Sequence, residues 1–337
     1  MSPARVSETV TAVWRIESAA VTASLTRRTG DLGLAEDLVQ DAFTAALEQW
    51  PRDGVPPNPG AWLTTVAHRR LADRARRRQT YAHKLRQVAA EAATEQPTGA
   101  TFGEELSDPF DPDPSDELRL VFLCCHPALT PDSRIALTLK SVGGLQTREI
   151  ARAFLVTETA TAQRITRAKR TLREHAARFE LPSTRELSER LGAVLAVTYA
   201  IFTEGHSCTA GGSGTRPELC HDALRLARRL THIAPDVGEV HALAALLEYQ
   251  ASRLPARAGV DGQPVLLDDQ DRGRWDRSLI ARGDAALSHA RGLGGGQYLH
   301  QAEIAACHAH ARTPADTDWR AIADRYQQLA ALVDSPV

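Results

Sequence analysis

The chain has 337 residues, 43% of them hydrophobic and 24% charged, and a net charge of −2. That is room for two or three domains with ordinary cores, and no apolar run nears the ~20 residues that a membrane-spanning helix needs. Five cysteines at irregular spacing argue against a disulfide framework and for a reducing compartment, and the first residues lack the apolar stretch of a signal peptide, so the expectation is an intracellular, cytoplasmic protein.

Alternating strand patterns are nearly absent and helical periodicity dominates, which predicts an all-α fold. Residues 10–80 read as several helices. The clearest, LAEDLVQDAFTAALEQW (34–50), places Leu38, Ala42 and Ala45 on one face, flanked by Val39, Phe43, Leu47 and Trp50. Asp37, Asp41, Thr44 and Glu48 form a polar stripe at helical spacing. Such a stripe is ordinarily a solvated face; it also suits an acidic docking surface for a basic partner. PRDGVPPNPGAW (51–62), rich in proline and glycine, predicts an ordered but irregular loop. A helical run over 60–86 follows, with eight Lys/Arg and one acid, Asp73. Trp62, Val66, Leu71 and Ala75 are its expected inward positions. One aspartate does not neutralise Arg69, Arg70, Arg74, Arg76, Arg77 and Arg78. The helix is therefore a solvated basic face or, more strongly, a surface that lies along phosphates. The adjoining loop and tryptophan suit a single strand, whose unstacked bases need pockets and stacking surfaces.

Residues 87–118 contain no Lys or Arg and nine acids, with Pro97, Pro109, Pro112 and Pro114. They read as a flexible acidic linker between a first helical block (1–86) and a second (119–180).

In the second block Thr130 is placed to cap LTPDSRIALTLKSVGG, with Pro131 at the first helical position and Gly143-Gly144 as the stop. Thr147 is the expected cap of REIARAF, LVT (155–157) a turn, and Thr157 the cap of ETATAQRITRAKRTLRE, with Thr161, Ile165, Ala168 and Leu172 inward. Two helices joined by so short a turn, the second basic, make a helix-turn-helix. Glu158, Thr159, Ala162, Gln163, Thr166 and Arg167 face outward near the start of the second helix. Glutamine reads adenine, arginine guanine, and threonine or alanine a thymine methyl. Arg164, Lys169, Arg170 and Arg173 suit phosphates. An amphipathic hairpin with no DNA role is the alternative, and it leaves the agreement of caps, turn length and basic face unexplained.

AEDLVQDAF, GAWLTTVAHRRLADRARR and the 129–174 stretch, in that order and separated by an acidic linker, resemble regions 2 and 4 of the sigma-70 family of RNA polymerase sigma factors, of the extracytoplasmic-function (ECF) type. The resemblance covers residues 10–178. It implies a sigma region 2 helical bundle at 1–86 and a sigma region 4 helix-turn-helix at 119–180. Asp37, Gln40, Asp41 and Thr44 would dock on the clamp helices of the polymerase β′ subunit. The loop 51–58, with Asn58, would receive a flipped base of the −10 element. Trp62, His68, Arg69, Arg70, Arg74 and Arg77 would hold the non-template strand. Glu158, Thr159, Ala162, Gln163, Arg164, Thr166, Arg167 and Arg170 would face the −35 element, in a region borne by the β flap. The linker would thread the cationic nucleic-acid path of the polymerase. His68 stands where many relatives carry Ala or Arg. The resemblance thus implies promoter selection and melting, with core RNA polymerase and promoter DNA as partners and no cofactor, metal or covalent chemistry.

Residues 181–337 read as successive amphipathic helices (184–205, 216–235, 236–257, 274–293, 296–311 and 316–333) joined by short Gly/Pro turns. They resemble tetratricopeptide-like helix pairs without the strict ~34-residue consensus. The whole chain resembles the ECF subgroup that carries such a C-terminal extension, in which a DQDR segment recurs. Here that segment is Asp269, Gln270, Asp271 and Arg272, within VLLDDQDRGRWD and after 260–267, the one plausible strand or hairpin. Asp269 or Asp271 is placed to cap a helix beginning near Arg274 or Trp275, and Arg272 to pair with a neighbouring carboxylate, giving a polar latch between helices. A ligand or partner site is the alternative. Catalysis lacks a His, Cys or Ser at a telling spacing.

His206, Cys208, Cys220 and His221 lack the paired CxxC spacing of a zinc site, and Cys124 and Cys125 read as buried thiols. GGSG (211–214) and GGG (294–296) read as turns rather than phosphate loops. The C-terminal domain is expected to regulate, by masking the basic surfaces or by binding a regulatory protein or ligand. Two rival readings are a helix-turn-helix regulator with a helical ligand-binding domain, acting without polymerase, and an enzyme using the C-terminal aspartates. The docking stripe argues against the first.

Overall fold

The computed structural model describes residues 3–90, 113, 115–207, 217–259 and 263–332, in two units. Among the described residues there are helices and no strand; an isolated antiparallel bridge joins Ala258 to Pro264. Of the expected strand at 260–267, residues 260–262 lie outside the described ones and 263–267 form no strand; on either side of 260–262, Gly259 N–H donates to Gln263 O at 2.9 Å and Val265 N–H to Arg257 O at 2.8 Å.

The first unit is built on three long helices, α1 (Pro3–Thr29), α2 (Leu32–Asp53) and α3 (Pro59–Ala90). Gly30, at φ 65°, turns the chain out of α1. Asp31 then caps α2, its Oδ1 accepting from Gly33 N at 2.8 Å and Leu34 N at 3.1 Å. Val21, Leu25, Leu38, Ala42, Trp50, Leu63 and Ala67 form the core, with Trp14 edge-on to Phe43 at 4.7 Å. Two expectations change here. The loop read at 51–62 is only 54–58, because α2 continues through Pro51 to Asp53. Pro51 forgoes one amide bond near the helix end, while Gly54 (φ 85°) closes the last turn on the Trp50 carbonyl at 3.0 Å. Likewise α3 runs through 87–90, and 116–118 begin α4 (Asp116–Cys124), so both ends of the expected linker are helical. Residues 91–112 lie outside the described ones.

The second unit contains the later part of α4, then α5 (Pro131–Ser141), α6 (Thr147–Ala153) and α7 (Glu158–Glu174), and six further helices. These are α8 (Thr184–Ser207), α9 (Pro217–Ile233), α10 (Gly238–Ser252), α11 (Arg277–Leu293), α12 (Gln297–His310) and α13 (Trp319–Leu332). Helix α8 packs on α5, so the helix-turn-helix and the C-terminal helices share one body. α10 is buried on nearly every side and packs against α8, α9, α11 and α12. A helix apolar all round is stable only in such a position. Its few charges are spent on neighbours. Glu248 accepts from Arg228 Nε at 2.7 Å and Nη2 at 3.0 Å, with Arg282 at 3.7 Å. Glu239 accepts from the backbone of Gly296, Tyr298 and Leu299, the orphan donors at the start of α12. On α12, Glu303 holds Arg291 at 2.8 Å and Arg325 at 2.7 Å. The buried carboxylates thus tie five helices together at named points.

Candidate nucleic-acid interface

On α3 the buried apolar side chains are Leu63 and Ala67, with Thr64 buried beside them and Trp62, Val66 and Leu71 packed at their edge. That phase leaves Arg69 and Arg77 in solvent and His68, Arg70 and Arg74 half-buried. The cations are not all available. Arg74 Nη2 donates to Asp41 Oδ2 at 2.8 Å, and Arg76 pairs with Asp73 at 3.3 Å. Asn58 begins the helix, its Oδ1 accepting from Ala61 N at 3.0 Å. Trp62 lies edge-on to Trp50 at 5.5 Å, so only part of its ring is open for stacking. His68 Nε2 is buried and among the described residues finds no partner; burial first, then Arg28 and Arg27, hold the ring below its ordinary pKa.

On α2, Asp37, Gln40 and Thr44 are exposed and Asp41 half-buried. Thr44 Oγ1 donates to the Gln40 carbonyl at 2.9 Å. Leu47, expected to flank the core, is instead 48% exposed and continues the 37–40–44 line by one turn. Hydrophobicity suggested burial; the helical phase of Leu38, Ala42 and Trp50 carries it outside.

A charge cluster that the sequence reading missed closes around the end of the acidic run. Arg119 Nη1 donates to Asp113 Oδ2, and to Asp116 Oδ1 at 2.8 Å, while Arg27 lies 3.4 Å from Asp116. The Ser115 amide and the Arg119 guanidinium hold Asp113 down at about 2; burial pushes the Asp116 carboxyl up. Its signal was Asp113, three residues ahead of Asp116 in the first turn of α4, with Arg119 one turn further on.

In the second unit Thr130 caps α5, accepting from Ser133 N at 3.4 Å. The cap of α6 is Gln146 rather than Thr147: Glu149 reaches back to the Gln146 N–H at 2.7 Å, and Thr147 is the first helical residue. The turn places Leu155 at φ 53° and 94% exposed. Thr157 caps α7, accepting from Ala160 N at 3.2 Å. Thr161, Ile165, Ala168 and Leu172 are the buried face of α7. Glu158, Thr159, Ala162, Gln163, Thr166, Arg167 and Arg170 are exposed. Arg164 is half-buried, 3.5 Å from Asp132, and Arg170 lies 3.4 Å from Glu174. The Cys125 thiol, buried behind these helices, is pushed up to about 12 by burial.

The DQDR segment is a joint between helices. Arg272 is buried; its Nη1 donates to the His308 and Ala311 carbonyls, both at 2.8 Å, and its guanidinium lies 4.8 Å from the Trp275 ring centroid. Its partners are therefore carbonyls and not the expected carboxylate. The end of α12 presents orphan acceptors and the negative pole of its dipole, and both attract a cation. Gln270 Nε2 donates to Val265 O at 3.1 Å, and Asp271 accepts from Gly273 N at 2.9 Å within a short 3-10 turn. Asp269 is exposed. The cap of α11 is Asp276, accepting from Ser278 N at 2.8 Å and Leu279 N at 3.2 Å, and the helix starts at Arg277 rather than Arg274 or Trp275. Among the described residues no group of three or more His, Cys, Asp or Glu is arranged to hold a metal, and no helix is long and apolar enough to cross a membrane. Cys208, weighed as a zinc ligand, lies outside the described residues.

Residues 16–81 match the family description "Sigma-70 region 2", residues 119–172 "Sigma-70, region 4", and residues 190–291 a "Family of unknown function (DUF6596)". The chain is 41% identical over 320 residues to "Uncharacterized protein R00370" of Rhizobium meliloti (strain 1021), covering 93% of this chain and 74% of that one. It is 29% identical over 165 residues to "Probable ECF RNA polymerase sigma factor SigI" of Mycobacterium tuberculosis, 49% of this chain and 54% of the relative. It is 30% identical over 150 residues to "ECF RNA polymerase sigma factor SigJ" of the same species, 43% and 44%. The chain thus spans about half the length of the two named sigma factors. No solved structure matches.

Proposed function

We propose how the parts of this chain, which belongs to the extracytoplasmic-function type of sigma-70 factor with a C-terminal extension, divide the work of transcription initiation. Its role is that of a sigma factor. In our reading residues 1–86 are region 2, 87–118 the linker, 119–180 region 4 and 181–337 a tetratricopeptide-like regulatory domain. Asp37, Gln40, Asp41 and Thr44, with Leu47 beside them, meet the clamp helices of the polymerase β′ subunit. Asn58, Trp62, His68, Arg69, Arg70, Arg74 and Arg77 take the melted −10 strand. Region 4 sits on the β flap and reads the −35 element through Glu158, Thr159, Ala162, Gln163, Thr166 and Arg167, with Arg164 and Arg170 at the phosphates. The chain carries out no covalent step and works in the cytoplasm.

The observation that carries this reading is the division of α7. Four residues at helical spacing face the core, and the opposite face, rich in base-reading side chains, is left in solvent. The C-terminal domain is assigned to regulation because α8 packs on α5 and so adjoins the DNA-reading helices. Run-off transcription with core RNA polymerase and the DNA upstream of the protein's own operon tests the whole. A promoter-specific transcript that needs the full chain is expected; a chain that neither co-purifies with core polymerase nor yields a transcript overturns the assignment. Removing residues 183–337 should change the level or control of that transcript. An identical level and identical control would remove the regulatory role alone.

A further inference from the structure

The second unit holds a cavity that none of these roles uses. It lies among α8, α10, α12 and α13 and has a volume of about 480 Å³, within the range of small-molecule sites. Leu246 and Ile304 give it apolar wall; Tyr199, Gln250 and Gln301 give it hydrogen-bonding groups; Arg253, one residue past α10, brings a charge.

That charge is unbalanced. Arg253 Nη2 donates to Gln250 Oε1, an uncharged amide, and among the described residues it has no carboxylate partner. The charges acting on it are two more guanidiniums, Arg257 and Arg272. Arg272 gives its Nη1 to the His308 and Ala311 carbonyls, and among the described residues Arg272 Nε and Nη2 and Arg257 Nε are buried without an acceptor. Burial and these neighbours pull Arg253 down to about 10, which still leaves it a cation at neutral pH. Asp268, an acid that bears on His308 in the cavity wall, is itself exposed. Elsewhere in the same unit the fold does the reverse: Arg228, Arg282, Arg291 and Arg325 all sit on Glu248 or Glu303. A partly desolvated cation without a counter-ion is costly, and an anion entering the cavity would offset that cost. A guanidinium fork matches a carboxylate in particular.

We propose that this cavity binds a small organic anion, a carboxylate on a compact apolar body, with Arg253 as its counter-ion, Gln250 and Gln301 as hydrogen-bonding neighbours, and Leu246 and Ile304 as its apolar contact. The proposal stands apart from the promoter role, since it concerns binding alone.

Isothermal titration of the full-length chain with benzoate and hexanoate tests it, with benzamide and benzylamine as neutral and cationic matches for benzoate. Saturable one-to-one binding of at least one carboxylate is expected, at least tenfold weaker binding of benzamide, and none of benzylamine. Arg253→Gln should weaken carboxylate binding tenfold or more with an unchanged circular dichroism spectrum. Ala305→Leu fills the cavity wall without altering charge and should abolish binding, so it decides the matter if the arginine variant fails to fold. No binding of either carboxylate, equal binding of benzamide, or undiminished binding in Ala305→Leu overturns the proposal. Inorganic phosphate binding as tightly as the organic acids overturns its apolar half, and with it the class of ligand named.

Discussion

Asp41 on α2 and Arg74 on α3 meet at 2.8 Å, so a residue of the proposed polymerase-docking stripe holds a residue of the proposed DNA-binding helix. Both side chains are more than a third exposed. A pair so placed contributes under about 1 kcal/mol to stability, because water and salt screen it. Asp41→Asn should therefore shift the denaturation midpoint only slightly. It also frees Arg74 for phosphate, so binding of promoter DNA by the assembled polymerase should become more salt-dependent, by up to about 0.9 in the log–log slope. A large loss of stability, or an unchanged slope, would contradict the geometry as read.

On α7 two variants separate base reading from charge. Gln163→Ala removes a side chain suited to adenine and should relax sequence preference at one −35 position, at a cost of about 1–3 kcal/mol on the preferred base. Arg170→Ala should weaken all sequences evenly and reduce the salt slope by about 0.9. Competition binding over a set of −35 variants distinguishes them; the same pattern from both would mean that the outward face has been assigned wrongly.

Leu155 pays for the tight turn of the helix-turn-helix with a left-handed backbone, φ 53°. Its side chain is almost wholly in solvent, so no packing depends on it. Leu155→Gly should be at least as stable as the parent. Leu155→Ile, branched at Cβ, should lose about 1 kcal/mol. Urea titration of the two variants reads the difference, and the opposite order would refute strain at this turn.

His206 stacks on Phe202 at 5.4 Å; burial, then Arg257 and Arg253, pull its pKa down to about 3. The unfolded chain binds a proton here below about 6.5, whereas the folded chain resists it. The stability that this group contributes is present above the unfolded value and is lost as pH falls toward the folded one. His68, His126 and His308 are shifted in the same direction, each mainly by burial. The melting temperature should therefore decline between about pH 7 and pH 5, and His206→Gln should remove part of that decline. Thermal melts across the interval check this; an identical slope in parent and variant would rule it out.

Two glycines in helices should respond oppositely to alanine. A Cβ on Gly238, at the start of α10, would lie 1.6 Å from the Gly294 carbonyl oxygen, a backbone atom that cannot rotate away. Gly238→Ala should cost more than about 2 kcal/mol. Gly192, exposed within α8, has nothing within 4 Å of its Cβ position, and Gly192→Ala should gain about 0.5–1 kcal/mol. Calorimetry that found the two equivalent would refute the close approach of α10 to Gly294.

The all-α class, the caps Thr130 and Thr157, the inward face 161–165–168–172 of α7 and the order of the C-terminal helices were all legible in the sequence. Each is set within one or two turns, where periodicity, a capping hydroxyl or a proline acts on backbone only a few residues away. The structure alone decided the rest, because it depends on partners distant in the chain. The sequence marked Arg272 as a latch but supplied a carboxylate; packing gave it the carbonyls of His308 and Ala311, 36 and 39 residues on. Hydrophobicity sent Leu47 inward; the phase fixed by Trp50 against Trp62 sent it out. Arginines 228 and 253 look alike in the chain. Tertiary folding set one against Glu248 and left the other beside a cavity with no acid, and only that difference in surroundings makes the second a place for an anion.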